Sequence, residues 1–304
     1  MYKEKNKIST EICVNAEIAF KNKAVFLESI ACITKHYGYN VRMNDVKIIS
    51  IGRELITGRT ADTNSNYLAR QITLLGAAVS SVYVIDDVLS DIVKTLRFSL
   101  KQKPALIITT GGLGPTMDDM TLKGVAKALG KRLEENKRAL TMIRKRYDML
   151  YRQGLLHTAG LNDARIKMSI LPSGAKPIKN PVGTAPGVLI HHGETAIFCL
   201  PGVPSEMKGI FEMHIYGWIK THISNGVWFE KMINVKNHDE SILRVFIDRA
   251  AQMYPEVYIK SSPAGFDKAK SLDVFFTSTG KNKAYVQSRV NKAMKMLKSL
   301  IRDQ

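Results

Sequence analysis

The chain has 304 residues, 45% of them hydrophobic, with three cysteines and a formal net charge of +18. No run approaches the roughly 20 uninterrupted apolar residues of a membrane span, and the charged N-terminus has no apolar stretch behind it to form a secretion signal. Cys13, Cys32 and Cys199 are too scattered for a disulfide framework or a cysteine zinc site, so a cytoplasmic protein is expected, with one unit of about 180 residues and a smaller one.

Residues 1–44 match neither unit and are set aside as an N-terminal extension. Val46 to Gly52 is a short, nearly continuous apolar run ending in glycine, which predicts a buried parallel strand. Asn64 to Leu75 carries Leu68, Ile72 and Leu75 on one helical face and stops at Gly76. Ala78 to Ile85 predicts a second strand, Ser90 caps a helix running to about Gln102, and Ala105 to Thr110 predicts a third strand. This alternation implies right-handed crossovers and an open α/β sheet, mostly parallel, in three layers. Helices are expected over Asp118–Leu129, closed by Gly130, and over Glu134–Gln153. Short strands follow between Ile166 and Pro201, where prolines and glycines are dense. A helix over Val203–Ile219 then turns Met207, Ile210 and Phe211 inward. The main domain is taken as 45–224.

After a polar break at Ser224 to Gly226, a smaller α+β domain over 225–304 is expected. Its strands are Trp228–Val235, Val257–Ser261 and Leu272–Ser278, and its helices Glu240–Met253 and Lys281–Ile301. The basic excess raises the expectation of an anionic partner without choosing nucleotide, nucleic acid or anionic surface. Much of it sits over 131–152 and 281–302, where charges alternate with apolar residues at helical spacing and read as solvated faces. His191 and His192 read as an exposed pair at a turn.

The strongest chemical feature is Thr109-Thr110-Gly111-Gly112-Leu113-Gly114-Pro115-Thr116-Met117-Asp118-Asp119-Met120-Thr121, placed between an apolar strand and a helix. Glycine permits positive φ and close backbone approach, and a helix start offers unpaired amides, so the segment reads as a phosphate site at the carboxyl ends of parallel strands. Two carboxylates there would repel phosphate unless a cation lay between, and a hard divalent ion of the Mg²⁺ type resolves the conflict. The plainer alternative is a capping box, Thr116-x-x-Asp119, and the two are compatible. Asp86-Asp87, after the second strand, either completes the metal site or is an ordinary acidic turn. Two further loops combine proline with glycine: Asn180 to Gly187, and Leu200 to Met207, where Ser205 and Glu206 stand at a helix start.

Taken together, Ile51-Gly52-Arg53-Glu54-Leu55-Ile56-Thr57-Gly58, Asn64, Asp86-Asp87, the Gly111–Thr121 segment and the two later loops resemble the CinA family in order and spacing. The first domain of that family is similar to the molybdopterin-binding, MoaB/Mog-like domains. His238-Asp239-Glu240-Ser241 and Ser278-Thr279-Gly280 extend the resemblance into a small KH-like domain. Ile56 departs from the usual leucine, and the C-terminal deamidase domain of some family members has no room before Gln304, so no deamidation is expected.

The resemblance implies a divalent-metal-dependent pyrophosphatase acting on ADP-ribose-like dinucleotides, using Mg, Mn or Co. Asp118 and Asp119 would act in catalysis, and Asp86, Asp118 and Asp119 would hold the metal. Gly111, Gly112, Gly114, Thr116, Asn64, Gly183, Thr184, Gly202, Ser205 and Glu206 would hold substrate or phosphate. The alternative is a protein that binds molybdopterin, or its adenylylated form, without hydrolysis. RNA binding is a third reading, but no GxxG loop lies between Trp228 and Gln304 to clamp a nucleic-acid backbone. The expected partners are a small nucleotide or pterin and a second copy of the chain in a homodimer, with no membrane.

Overall fold

The computed structural model describes residues 45–224, 226–236, 239–263 and 271–302. The expected N-terminal extension and His238 lie outside them. The described residues fall into two units, one running to Trp228 and including Thr279–Lys283, the other holding Phe229–Ser278 and the residues from Ala284 onward.

The main unit begins with β1 (Asp45–Ile51), α1 (Arg53–Ile56), α2 (Thr63–Leu74), β2 (Ala78–Ile85), α3 (Leu89–Lys101), β3 (Leu106–Thr110) and α4 (Thr121–Leu129). It continues with β4 (Leu133–Glu135), α5 (Lys137–Arg152), α6 (Asp163–Lys167), β5 (Ile170–Pro172), β6 (Lys176–Ile178), β7 (Gly187–His192) and β8 (Thr195–Leu200). It ends with α7 (Pro204–Ile210), a π-turn over Phe211–Ile215 and α8 (Tyr216–His222). Six strands form one sheet in the order β2-β1-β3-β8-β7-β6, parallel from β2 to β8 and antiparallel from β8 to β6.

The central strands β1, β3 and β8 are buried along their whole length, whereas β2 at the edge alternates between exposed and half-buried residues. Two-residue alternation distributes the central side chains between two layers. Val46, Ile48, Leu106, Ile108 and Phe198 pack with Leu68 and Ile72 of α2 and with Met207, Ile210 and Phe211. Ile49, Ile51, Ile107, Ile197 and Cys199 pack on the other face with Ile92 and Leu96 of α3, Val125 of α4 and Ile143 of α5. Each fully buried Ile or Leu of this kind contributes about 1.5–3 kcal/mol over its exposed state.

Three expectations are corrected. Val88 rather than Ser90 caps α3, and Ser90 lies exposed inside the first turn. The helix expected from Asp118 begins at Thr121, with Met120 as a cap that makes no side-chain bond. The one expected from Glu134 begins at Lys137, because Glu134 and Glu135 pair with β5 as strand β4 and the Asn136 side chain caps the helix.

The smaller unit is α+β: β9 (Val227–Lys236), α9 (Glu240–Met253), β10 (Tyr258–Pro263), β11 (Ser271–Gly280) and α10 (Lys283–Arg302), with strand order β10-β11-β9. Its core gathers Leu243, Phe246, Val274, Phe276, Val290 and Leu297. No helix among the described residues is long and apolar enough to cross a membrane.

Candidate functional site

In the order β2-β1-β3 the chain leaves β1 toward one side and returns to β3 on the other, so the loops after β1 and β3 diverge and open a crevice at the carboxyl edge. A cavity of about 430 Å³ lies there, with Ile51 and Gly52 on one wall, Gly111 to Pro115 on another, and Thr184, Pro201, Gly202 and Glu206 closing the third.

The Gly111 turn is built by contacts that only glycine permits. Gly111 has φ 106°, and a Cβ there would stand 2.1 Å from the Ile51 carbonyl oxygen. Its own amide donates to Leu200 O at 3.0 Å, so that NH serves the fold and not a ligand. The Thr121 hydroxyl donates to Gly111 O at 2.8 Å and the Thr121 amide to Gly112 O at 3.2 Å, fastening the start of α4 to the turn. The amides of Leu113 and Gly114 have no hydrogen-bond acceptor among the described residues, and both residues line the cavity.

The capping box does not form as a cap. Asp119 accepts from the Thr116 amide at 2.8 Å and from its hydroxyl at 2.6 Å, closing a turn ahead of the helix, because a short polar side chain bonded to nearby backbone competes with helix propagation. Lys167 braces this turn from α6, donating to Thr116 O and, at 3.2 Å, to Asp119 O. The Asp119 carboxylate abuts Gly114, where a Cβ would come within 2.6 Å of Oδ2. Asp118 is exposed on the cavity rim, and the Thr116 hydroxyl first, then its own backbone amide and the Lys167 ammonium, hold its carboxyl below the usual range.

The acidic pair after β2 divides. Asp86 turns away into an ion pair with Arg53 Nε at 3.2 Å, which holds its carboxyl low, and it lines a separate recess beside α3. Asp87 lines the cavity, and its carboxyl is raised by burial first, then by Asp86, with a further push from Asp118. The cavity therefore presents five carboxyl groups, Glu54, Asp87, Asp118, Asp119 and Glu206, and no Lys, Arg or His among the described residues lines it.

Of the residues expected at the site, Gly111, Gly112, Gly114, Asp118, Asp119, Thr184, Gly202 and Glu206 line the cavity. Thr116 holds Asp119 from outside, Ser205 is exposed on α7, and Asn64 lines a neighbouring recess. Gly183 makes room for Glu206: a Cβ there would fall 1.9 Å from Oε2. Asn180, not singled out from sequence, organises that wall. Its Nδ2 donates to Glu206 Oε2 at 2.6 Å and to Ala185 O at 2.8 Å, and its Oδ1 accepts from the Val182 and Gly183 amides at 3.0 and 2.8 Å. Glu54 and Lys167 also escaped notice as site residues, and of the pair Asp86-Asp87, weighed together as a completion of the metal site, it is Asp87 that lines the cavity. Glu54 and Asp87 stood inside the quoted motifs, whereas nothing local marks Lys167.

Residues 47–221 match the family described as "Probable molybdopterin binding domain". A protein of Pyrococcus furiosus is 39% identical over 253 residues, 83% of this chain and 95% of its own. One of Aeropyrum pernix is 42% identical over 225 residues, 74% of this chain and 81% of its own. Among solved structures, the protein CinA "with unknown function" from Thermoplasma acidophilum is 36% identical, with a TM-score of 0.53, covering 58% of this chain and 98% of that one. The chain thus belongs to the family of this molybdopterin-binding-type domain, as a CinA-like protein whose main unit is a small-molecule-binding fold.

Proposed function

We propose that the cavity binds a diphosphate together with a divalent cation and hydrolyses ADP-ribose-like dinucleotides. The observation that carries this reading is a cavity with unpaired turn amides, five carboxyl groups and no cationic side chain among its lining residues. Amides suit phosphate oxygens, yet the carboxylates repel them, and a hard cation reconciles the two.

Among the described residues no group of three or more His, Cys, Asp or Glu could cage an ion, so an all-protein site does not fit. Asp87 and Asp118, whose charges feel each other at the cavity edge, fit the mode in which Mg²⁺ takes one or two carboxylates and completes its shell with phosphate and water. Such an ion supplies charge neutralisation and Lewis-acid polarisation. The Leu113 and Gly114 amides orient the phosphate oxygens and meet the charge that develops on them. The attacking water passes its proton to bulk solvent as it reaches phosphorus. A bond forms from that water oxygen to phosphorus, the bridging P–O bond breaks, and its electron pair leaves with the second phosphate, giving AMP and ribose phosphate.

Purified protein with Mg²⁺, Mn²⁺ or Co²⁺ is expected to split ADP-ribose, and chelation or Asp118→Ala to abolish the reaction. Activity surviving both overturns the proposal. The family description favours a second reading, a pterin binder without hydrolysis; a fluorescent pterin co-purifying with a chain inert toward ADP-ribose would establish it. A homodimer is the proposed assembly, supported by exposed Val82 and Val84 on the edge strand β2. Light scattering is expected to report twice the 34.0 kDa chain mass.

A further inference from the structure

Residues of β2, α3 and α4 line a recess of about 1030 Å³ at the β2 edge of the sheet, and none of them lines the carboxyl-edge cavity. Its charge is the reverse of that cavity's, for Lys94, Arg97, Lys101 and Lys127 line it. Steps of three and four residues along α3 put Lys94, Arg97 and Lys101 on one helical face, in a row about 10 Å long.

The row keeps its charge. Lys94, Lys101 and Lys127 enter no ion pair among the described residues. Arg97 donates to Lys127 O at 3.2 Å and to Ala128 O at 3.5 Å, which fixes its guanidinium at the end of α4 and leaves its charge in place. Of the two acids on the lining, Asp86 is engaged by Arg53, and Asp91 stands in the first turn of α3, where the helix dipole favours it.

Aromatic surface adjoins the cations. Phe98, four residues after Lys94 and three before Lys101, is 55% exposed, and Tyr83 holds it edge-to-face at 6.3 Å between ring centroids and 87° between planes. A phenylalanine half in water and anchored by a second ring offers its face to a flat partner.

We infer that this recess binds single-stranded nucleic acid, with phosphates against Lys94, Lys101 and Lys127 and a base stacked on Phe98. A bare polyanion would use the lysines alone and an uncharged planar ligand the ring alone, whereas a nucleotide chain uses both, the combination that holds single strands without sequence preference. The volume lies at the upper end of what one small ligand fills, which suits a run of nucleotides. A second copy of the chain fits worse, since two-fold docking of this face would set like cations together. Such binding is independent of the diphosphate reading and of the GxxG loop that the smaller unit lacks.

The test is fluorescence anisotropy of the full chain with labelled oligouridine of about 12 nucleotides, titrated at several salt concentrations. Binding is expected, with a slope of log K against log salt of about −2 for the phosphates met by the three lysines. Because a chain of net charge +18 attracts any polyanion, location is read from two variants of equal charge. Lys94→Glu with Lys101→Glu is expected to lose about tenfold or more in affinity, and Lys292→Glu with Lys295→Glu, exposed on α10, to lose far less. Phe98→Ala, its fold verified by a thermal melt, should lose about 5- to 100-fold at an unchanged salt slope. Absence of binding at low salt, equal losses in the two charge-reversed chains, or a Phe98→Ala chain that binds like the parent each overturns the proposal. So does polyglutamate competing as well as unlabelled oligouridine at equal charge, which would make the partner an acidic polypeptide.

Discussion

Two alanine substitutions three residues apart, at Gly111 and Gly114, separate the fold-bearing part of the turn from its chemical part. At Gly111, alanine must adopt φ 106°, a conformation that costs about 1–3 kcal/mol for a residue with a Cβ. Its Cβ would also stand 2.1 Å from the backbone oxygen of Ile51, which is held in the buried sheet. Relief requires moving Gly111, loosening the bonds to Leu200 O and from the Thr121 hydroxyl, about 1 kcal/mol each. The total is about 3–5 kcal/mol, or a drop in Tm of roughly 6–20 °C for a unit of this size. At Gly114 φ is not positive, and the obstructing atom is the end of the Asp119 side chain at 2.6 Å, which can swing aside. Gly114→Ala is therefore expected to melt within a few degrees of the parent, yet to lose Mg²⁺-dependent pyrophosphate binding by about tenfold or more, since Asp119 leaves its place against Thr116. Scanning calorimetry and titration of both variants decide the matter. A Gly111→Ala chain that melts like the parent, or a Gly114→Ala chain that falls as far as Gly111→Ala, refutes the reasoning.

Binding of Mg²⁺-pyrophosphate is expected to weaken on acidification earlier than an ordinary carboxyl would make it, because the Asp87 carboxyl, raised by burial and then by Asp86, takes up its proton first. Asp86→Asn removes a raising contact and leaves Arg53, which lowers, so the acid limb of the binding profile should move to lower pH; an unmoved limb contradicts this assignment. Lys47 is buried, with its ammonium bonded to Ser80 and Gln102 at 3.1 and 3.0 Å and 3.5 Å from Asp45, so Lys47→Met should cost about 3–5 kcal/mol in urea unfolding, partly recovered by adding Asp45→Asn. The Cys199 thiol is fully buried and pushed up to about 11 by burial, and in a chain with Cys13→Ser and Cys32→Ser it should resist a disulfide reagent until denaturant is added.

Much of the sheet was legible because its central strands are covered on both faces, which favours nearly continuous apolar runs such as VKIISI and ALIITT. β2 matched residue for residue even as an edge strand, since Gly76 and Asp86 bracket it. Helix starts were less legible. At Asp118 and at Glu134, polar residues that look like first-turn residues are drawn elsewhere, Asp119 to Thr116 and Glu134 into pairing with β5. The cavity wall was read from its glycines, but the choice between Asp86 and Asp87 depended on Arg53, 33 residues upstream along the chain. Lys167 reaches Thr116 across 51 residues, and local pattern holds no trace of that contact.

The distribution of charge carries the functional argument further than its total. A chain with a net charge of +18 would be expected to meet an anion with lysine or arginine, yet its carboxyl-edge cavity is lined by acids and by glycine backbone. Keeping acidic side chains there has a cost in mutual repulsion, visible in the push of Asp118 on the Asp87 carboxyl. Glycine is what allows the crowding: Gly52, Gly114 and Gly183 each leave the space that a carboxylate of Glu54, Asp119 or Glu206 occupies. Such an arrangement gives little hold on a bare anion and a strong hold on an anion that arrives with its cation, so affinity for pyrophosphate should rise with divalent metal far more than simple screening by an equal ionic strength of sodium would produce. Equal enhancement by sodium would mean that the acids merely repel, and that the turn amides bind the phosphate alone.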